Sequence, residues 1–450
     1  MKQFKSYFLS SAFILCLINP VKSSAIEVMF ESENKLPLVY LSIALKTGAV
    51  ADPKDKTGLS QFTGELLLRG SKSKTRKQIN QKLDEMGASL GFDTRSEMMI
   101  LRGVVLSDQI SAFLDLITEI LTQPRFDQKE INKLKKETLS KILASEGDDM
   151  QLAYLHFQKH LFGDHPYAKP IDGLKNHVSS FTKKDIKNQY KRLFLAEGML
   201  IVGSGDAESK LIKTFGKNLK KKLPGKALYP KIRAPKRLTE RKVILIDKPN
   251  RTQAQVMVGK IGVKLQHPNY FALNLVNHTF GGGGFTTRMF KQIRKEKGWS
   301  YSAYSYFKFG TEPRFWLSHF FPKNQDLEVS LSYFLKMLND LEESGITAQE
   351  YEFNKNAIIN GSGFKYNTAK KRNENTILEE TLHLPPRFMR SYARRTKKVS
   401  LKKANHAIKD FLGKSNELIL ILGTADQLKP QIAKALKIKE KEIEIFPFRL

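Results

Sequence analysis

Cysteine, long apolar segments and several common functional motifs are scarce or missing in this sequence. Its 450 residues include a single cysteine, Cys16, so no internal disulfide can form. Beyond the N-terminus no segment approaches the roughly 20 apolar residues that span a bilayer. Zinc-finger, helix-turn-helix and ribonucleoprotein motifs are missing, and Gly203-Ser204-Gly205 lacks the G-x-S-x-G spacing of a serine hydrolase. These absences predict a soluble globular protein of another class.

The N-terminal residues 1–25 have the pattern of a secretory signal peptide. Lys2 and Lys5 precede an apolar run at 7–18, and small residues at 23–25 offer a cleavage site. An uncleaved anchor is the alternative, but the apolar run is only about a dozen residues long. Cleavage would remove the only cysteine, which suits an oxidising compartment. We therefore expect an exported protein of the periplasm or cell envelope.

Acidic residues are few relative to basic ones. The chain has 76 Lys and Arg against 45 Asp and Glu, a formal net charge of +31. Such an excess favours peripheral contact with anionic surfaces, including membranes. A general preference for Lys on solvated surfaces is the other explanation. The basic residues are scattered and do not alternate with exposed aromatics, so no nucleic-acid partner is predicted.

The chain contains an internal repeat. A shift of about 211 residues aligns 59–70 with 270–281 and 77–89 with 288–300. Gly87 and Gly298 stand at equivalent positions just past predicted helix ends. The repeat predicts two similar domains.

The predicted domains are residues 26–219 and 242–450. Residues 220–241 between them are rich in Lys, Pro and Gly without apolar periodicity, which predicts an exposed linker. Within each half, alternating strand-like segments are interleaved with longer amphipathic helices. The expected fold class is α+β, with a mostly antiparallel sheet and helices packed on one face in each domain.

A degenerate metal motif lies near the start of the first half. Residues 57–71 read T-G-L-S-Q-F-T-G-E-L-L-L-R-G-S and resemble the pitrilysin/insulinase family of inverted zincins, in which T-G-L-A-H-L-L-E-H-M-L-F-K-G-T is typical. In such an H-x-x-E-H helix two imidazoles hold zinc and the Glu acts as general base. Gln61, Gly64 and Glu65 occupy these three positions here.

The third ligand of the family, a Glu, corresponds to Lys141 within one residue. A fixed ammonium at that position repels a divalent cation. No histidine precedes His156 in the chain, so no other alignment restores an imidazole pair. We expect no bound zinc and no hydrolytic activity by the chain alone. Because glycine inside a helix costs about 1 kcal/mol relative to alanine, Gly64→Ala is expected to be neutral or stabilising.

The second half keeps the other motif of the family. Residues 281–302 resemble the family pattern G-G-G-x-x-S-R-L-F-x-x-L-R-x-x-x-G-L-A-Y-S. The resemblance implies that Arg294 and Tyr301 reach the substrate backbone near zinc. The alternative is that Arg294 is a solvated cation in the last helical turn and Tyr301 is packed in the sheet.

The glycine run Gly281, Gly282, Gly283 and Gly284 is not a phosphate-binding loop, because no G-K-[ST] follows it. It is predicted to be a hinge or a close-approach turn that lets a peptide pass.

One histidine pair has a spacing that is found in metal sites. His156 and His160 lie four residues apart on a predicted helix, a spacing that can chelate a metal. Apart from His165, just beyond the helix, no third ligand is placed near them. Packing at the surface or between helices is therefore expected.

The family resemblance also implies a function. It implies a clam-like pair of domains around a chamber. In two-component bacterial members a zinc-bearing subunit pairs with one that carries only the Arg and Tyr, similar to the non-catalytic subunit of mitochondrial processing peptidase. We expect an exported, non-catalytic subunit that binds a peptide or unfolded protein, with zinc only in its partner. The alternative is a non-enzymatic peptide-binding envelope factor derived from a peptidase.

Overall fold

Two mixed sheets organise the chain. The computed structural model describes residues 26–223, 225, 229–413 and 415–449, so the predicted signal peptide lies outside the described residues. The first sheet has the strand order β1-β5-β2-β4-β3. Its strands are β1 (Glu27–Ser32), β2 (Leu38–Leu45), β3 (Ser89–Thr94), β4 (Met99–Leu106) and β5 (Met199–Gly205).

The second sheet repeats this topology and adds one strand at its edge. Its order is β11-β6-β10-β7-β9-β8, and in both sheets one parallel pair (β1 with β5, β6 with β10) is followed by antiparallel neighbours. The equivalent order confirms the duplication. The strands are β6 (Lys242–Asp247), β7 (Gln255–Ile261), β8 (Ala303–Phe307), β9 (Phe315–Phe320), β10 (Leu418–Gly423) and β11 (Glu444–Pro447).

The first half contains helices that pack on one face of the first sheet and one helix that packs elsewhere. Thr182 caps α7 by accepting a hydrogen bond from the Asp185 backbone N–H at 3.1 Å, as the sequence predicts. The helices are α1 (Leu59–Leu67), α2 (Arg76–Glu85), α3 (Ile110–Thr122), α4 (Gln128–Gly147), α5 (Asp149–Phe162), α6 (Lys175–Ser180), α7 (Lys183–Leu193) and α8 (Ser209–Lys222).

The second half has a comparable set of helices. Ser400 caps α14 in the predicted way, accepting from the Lys403 N–H at 3.2 Å. No helix of the described residues is long and apolar enough to cross a bilayer. The helices are α9 (Tyr270–Asn277), α10 (Leu327–Ser344), α11 (Ala348–Gly361), α12 (Ala369–Thr381), α13 (Tyr392–Lys397), α14 (Leu401–Leu412) and α15 (Ala425–Leu436).

Each sheet is covered on one face by helices of its own half, and the predicted α+β class with two similar domains is confirmed. The opposite face of each sheet packs against a helix from the other half. Helix α5 covers the second sheet, where Phe157 is fully buried against Phe315. Helix α12 covers the first sheet, where Ile377 packs with Ile100 and Leu200. The two halves therefore complete each other's cores.

The segment between the halves is held against the protein. Residues 220–222 of the predicted linker belong to α8. Arg237 donates hydrogen bonds to the carbonyls of Ile261 and Gly262 at 2.9 and 3.0 Å. Leu238 packs on the apolar face beneath α5. Lys221, Lys222 and Arg237 are exposed, as the sequence predicts. The helical start of the segment and its contacts with distant parts of the chain are features that local composition does not reveal.

Candidate functional site

Helix α1 carries the degenerate motif, and a buried carboxylate fixes its start. Asp52 accepts backbone hydrogen bonds from Gly58 and Ser60, both at 2.8 Å, and one from the Ser60 hydroxyl at 2.6 Å. Burial raises the pKa of Asp52 to about 6, and these hydrogen bonds oppose that shift. The α1 backbone therefore keeps a defined position although its metal ligands are missing.

The structure brings together three of the predicted degenerate positions and one residue that sequence reasoning missed. Gln61 Nε2 donates to Glu65 Oε1 at 2.6 Å, one helical turn away, while Gln61 Oε1 is buried without a partner. Lys141 of α4 forms an ion pair with Asp172 at 2.7 Å. These four residues line a cavity of about 190 Å³ and are called the relic site below. Asp172 lies in a loop 31 residues from Lys141, with no periodic signal to identify it.

The charges in the relic site are balanced by other groups of the same chain. Burial raises the pKa of Glu65, while the positive charges of Arg69 and Lys141 oppose the rise. The Lys141 ammonium lies on the side of α1 where the family resemblance places a ligand carboxylate. In this chain the ammonium of the Lys141 side chain therefore supplies the positive charge beside α1.

Gly64 has a packing role that the sequence does not reveal. A β-carbon at this position would lie 2.7 Å from Phe92 Cδ1 and 3.1 Å from Met99 Cε. Phe92 is held in turn by its ring contact with Phe194. The expectation that Gly64→Ala is neutral or stabilising is therefore wrong, because β3 and β4 pack directly against this face of α1.

Arg294 and Tyr301 meet at the surface of the second half. The guanidinium carbon of Arg294 lies 4.4 Å from the Tyr301 ring centre and 4.8 Å from that of Phe290. Phe285 packs edge-on against Phe290 at 5.0 Å. Tyr301 is 76% exposed and Phe285 is 75% exposed. These four residues form the aromatic–arginine surface.

Both parts of the structural alternative for this pair need revision. Tyr301 precedes β8 and is exposed, so it is not packed in the sheet. Arg294 is stacked between two rings and is only half-buried, so it is not a freely solvated cation. No hydrogen bond, ion pair or ring contact within the described chain joins this surface to the relic site.

The glycine run allows close backbone approach. A β-carbon on Gly281 would lie 2.5 Å from the Ser305 backbone nitrogen of β8. A β-carbon on Gly282 would lie 2.6 Å from the Asn277 side chain, and one on Gly283 would lie 2.5 Å from the His278 carbonyl oxygen, whereas Gly284 has a φ of +74° and open space around it. Close packing therefore explains the first three glycines, and backbone conformation explains the fourth.

Comparisons with known proteins identify the family. Residues 27–173 match the family described as Insulinase (Peptidase family M16), and residues 180–358 match the Peptidase M16 inactive domain. The chain belongs to the insulinase family. With Gln61, Gly64 and Glu65 at the motif positions, it is a non-catalytic member.

Two curated relatives have low sequence identity to this chain but align with it over most of their length. It is 25% identical over 390 residues to the Helicobacter pylori protein named Non-peptidase homolog YmxG, covering 86% of this chain and 90% of the relative. It is 23% identical to the Bacillus subtilis protein named Uncharacterized zinc protease YmxG, over 74% of this chain and 80% of that one.

Solved structures share the insulinase-family fold. The peptidase M16 inactive domain from Pseudomonas fluorescens superposes with a TM-score of 0.83 at 22% identity, covering 89% of this chain and 96% of that one. The periplasmic protease PqqL from Escherichia coli has a TM-score of 0.75 at 13% identity, and the match covers 93% of this chain but 49% of PqqL.

The two histidines on α5 pack against the C-terminal strand of this insulinase-family chain. His156 Nε2 lies 2.9 Å from the Phe448 carbonyl, and the His160 ring is 4.4 Å from the Phe446 ring centre. Burial lowers the pKa of both imidazoles to about 4. Across the described residues no three His, Cys, Asp or Glu side chains form a group that could hold a metal ion.

A larger cavity separates the two halves. Its volume is about 590 Å³, and its walls come from α4, α5, α12 and the turns of the β3–β4 and β8–β9 hairpins. Next to it Glu97 accepts hydrogen bonds from the Tyr167 hydroxyl at 2.6 Å and the Thr311 N–H at 3.0 Å, which ties the two hairpins together. This space is called the central cavity below. Asp172 lines both cavities, so the relic site adjoins the central cavity.

Proposed function

We propose that this chain is an exported, non-catalytic subunit of a heterodimeric zinc peptidase. It would bind peptide and supply Arg294 and Tyr301 to the active site of a zinc-bearing partner of the same family. The proposal rests on one observation: both side chains are accessible and have no polar partner within the described chain. Among the described residues neither the guanidinium nor the phenol donates a hydrogen bond or forms an ion pair.

The chemistry of this pair suits a peptidase transition state. A peptide carbonyl gains negative charge as it becomes tetrahedral, and guanidinium and phenol groups stabilise that charge by donating hydrogen bonds. The π-stacking of Arg294 on Tyr301 holds the two donors side by side before substrate arrives. The relic site contributes no equivalent chemistry, since its cation repels a metal ion.

The size of the chain supports pairing with a second unit. It corresponds to about half of PqqL by coverage. The exposed aromatic–arginine surface adds apolar area of the kind that protein partners cover. The partner is expected to carry the intact H-x-x-E-H helix that this chain lacks.

Reconstitution with a zinc-bearing relative tests the proposal. Mixing the two purified chains should produce peptide hydrolysis that neither shows alone. Arg294→Ala should lower kcat on the order of 10²-fold without dissociating the complex, because a stable interface far exceeds one side chain. Lys295→Ala, an exposed neighbour, is the matched control and should retain activity. No hydrolysis in any mixture, with a zinc-bearing chain shown to bind, would overturn the proposal.

A peptide-binding envelope factor remains the second candidate. The observation that favours it is the central cavity, whose volume of about 590 Å³ is in the range of ligand-binding cavities. Under this function peptide affinity is a property of the isolated chain, and Arg294→Ala leaves it unchanged.

Export is tested separately with the full-length chain. Residues 1–25 direct it to the periplasm or envelope under this proposal, and cleavage leaves Ile26 as the first residue. N-terminal sequencing of protein recovered from a periplasmic fraction should begin at Ile26. Recovery of unprocessed protein from the cytoplasm alone would contradict export.

A further inference from the structure

The central cavity combines an apolar wall with cationic side chains. Its volume of about 590 Å³ falls in the range of ligand-binding cavities. The apolar part comes from the start of the β8–β9 turn and from α12: Phe307, Phe309, Leu378 and Leu382. Arg314 and Lys308, on the same hairpin, supply positive charge to the lining.

Arg314 is a buried cation without a carboxylate partner. It is 5% exposed, and its two terminal nitrogens donate to the neutral Ser96 hydroxyl at 2.6 Å and the Gln158 side-chain oxygen at 3.0 Å. Its Nε is buried with no hydrogen-bond acceptor. No Asp or Glu of the described chain lies within ion-pair distance of it. Its guanidinium carbon also lies 4.6 Å from the Tyr167 ring centre, but a ring contact replaces only part of the stabilisation that a paired carboxylate gives a buried charge.

Lys308 is a second unpaired cation in the same wall. Its side chain is accessible, and in the part of the chain that the structure describes it makes no ion pair or hydrogen bond. Burial and the positive charges of Arg314 and Arg95 lower the pKa of its ammonium. This repulsion of Lys308 by Arg314 and Arg95 indicates that the cavity wall has too few negative charges to balance its cations.

The carboxylates that line this cavity do not pair with Arg314 or Lys308. Asp93 pairs with Arg95 at 3.0 Å, and Asp172 pairs with Lys141. Glu97 is occupied by the Tyr167 and Thr311 hydrogen bonds. Glu146, on α4, makes no ion pair with either unpaired cation.

We propose that the central cavity binds a carboxylate of a peptide ligand at the Lys308 ammonium, with an adjoining apolar group against Phe307 and Phe309. Lys308 supplies the accessible donor, and the buried charge of Arg314 in the same lining adds to the attraction for an anion. The inference rests on the peptide binding in the proposed function and adds a substrate class to it. The carboxylate comes either from the C-terminus of the peptide or from an acidic side chain.

Three peptides of one sequence, each labelled with an uncharged fluorophore, distinguish these sources. The first has a free C-terminus after Leu, the second is its C-terminal amide, and the third is an amide with one internal Gln replaced by Glu. Fluorescence anisotropy with the mature chain alone should show that the first or the third binds at least about tenfold more tightly than the plain amide. A preference for the first identifies a C-terminal carboxylate, and a preference for the third identifies a side chain.

Variants assign the preference to the cavity. Lys308→Met should remove it and leave the affinity of the plain amide unchanged. Lys402→Met, an exposed lysine on α14, should keep the wild-type preference. Acylation of Lys308, followed by peptide mapping, should slow in the presence of the preferred peptide only.

Equal affinity of all three peptides overturns the carboxylate site, as does no binding of any peptide up to about 1 mM. A preference that survives in Lys308→Met also overturns it. These outcomes are separate from the proposed function. Carboxylate selectivity without hydrolysis in any reconstituted mixture leaves the site standing and removes the heterodimer. Hydrolysis in a reconstituted mixture without carboxylate selectivity leaves the heterodimer standing and removes the carboxylate site.

Discussion

The relic site of the first half and the aromatic–arginine surface of the second half differ in what their polar groups contact. In the relic site the ionised groups have neighbours within the chain: Lys141 pairs with Asp172, and Glu65 accepts from Gln61. On the aromatic–arginine surface the polar ends of Arg294 and Tyr301 have no hydrogen-bond partner among the described residues, and only their flat faces touch. One site is internally compensated, while the other is open to an external acceptor.

The repeat makes this difference informative. By the 211-residue shift, Gly64 and Glu65 of α1 correspond to Leu275 and Val276 of α9, which are fully buried core residues. The same helix position is therefore a plain core element in the second half and a polar cavity wall in the first. The two halves therefore share a scaffold but place different side chains at equivalent positions of it.

The largest expected effect belongs to the open site. In the reconstituted complex, Tyr301→Phe should lower kcat on the order of 10²-fold, because it removes a donor used in the transition state. The melting temperature of the isolated chain should not change, since the hydroxyl is exposed and unpaired. The relic-site change Glu65→Gln should leave kcat unaltered. Loss of turnover in Glu65→Gln and none in Tyr301→Phe would reverse the comparison.

The next effect concerns the packing beneath the relic site. Gly64→Ala should destabilise the fold by about 1–3 kcal/mol, because its methyl group overlaps the Phe92 ring. Chemical denaturation measures this loss. In a Phe92→Ala background the penalty should shrink, which a double-mutant cycle detects.

Gly361→Ala is the matched control for that experiment. Gly361 ends α11 with an ordinary helical φ of −69°, and a β-carbon there meets nothing within 4 Å. This change should be neutral or stabilise by up to about 1 kcal/mol. Equal behaviour of both glycine variants would mean that Phe92 moves freely.

A smaller, pH-dependent effect should follow from Glu65. Burial raises its pKa in the folded state above the usual 4.5, so the folded chain binds a proton more tightly than the unfolded chain. Stability from this group is present below pH 4.5 and is lost as the pH rises through the folded pKa. Glu65→Gln should therefore stabilise at pH 7 by a few tenths of a kcal/mol.

Thermal melts of wild type and Glu65→Gln at several pH values test this sign. The difference between the two proteins should vanish as the pH falls below 4.5. A constant difference would show that folding does not shift the Glu65 pKa, and a difference that grows in acid would show that Glu65 is stabilised as the carboxylate.

The smallest effect should come from Lys141. Its ion pair with Asp172 is partly exposed, with side-chain exposures of 59% and 29%, so Lys141→Met should cost at most about 1 kcal/mol. The loss should decrease at high salt if it is electrostatic. Lys336→Met breaks an exposed pair with Asp340 on α10 and is the control. A larger loss for Lys141 than for Lys336 would support its role in balancing the relic site.

Local patterns were sufficient for the architecture. Helix caps at Thr182 and Ser400, the glycines after equivalent helices and the strand alternation are decided by neighbours within a few residues, and all are present in the structure. The three relic-site positions Gln61, Glu65 and Lys141 could be located because the family motif assigns a ligand to each at a fixed spacing, and the structure brings all three to one cavity.

Contacts between distant segments could not be predicted in this way. The stacking of Arg294 on Tyr301 depends on a π-helical turn over Phe290–Glu296 that apolar periodicity does not distinguish from an α-helix. The contact of Phe92 with Gly64 depends on how β3 lies beneath α1. Neither has a signature in the residues next to it.

The sequence by itself determined the family, the duplication, the α+β class and the loss of the zinc ligands, because each depends on residue identity at a fixed local spacing. Only the tertiary structure decided which charges find partners. It paired Lys141 with Asp172, left Arg314 buried without a carboxylate, and placed α5 and α12 on the opposite half's sheets. The physical reason is that ion pairing and core packing depend on distance in space, which chain spacing specifies only within a single helix or hairpin.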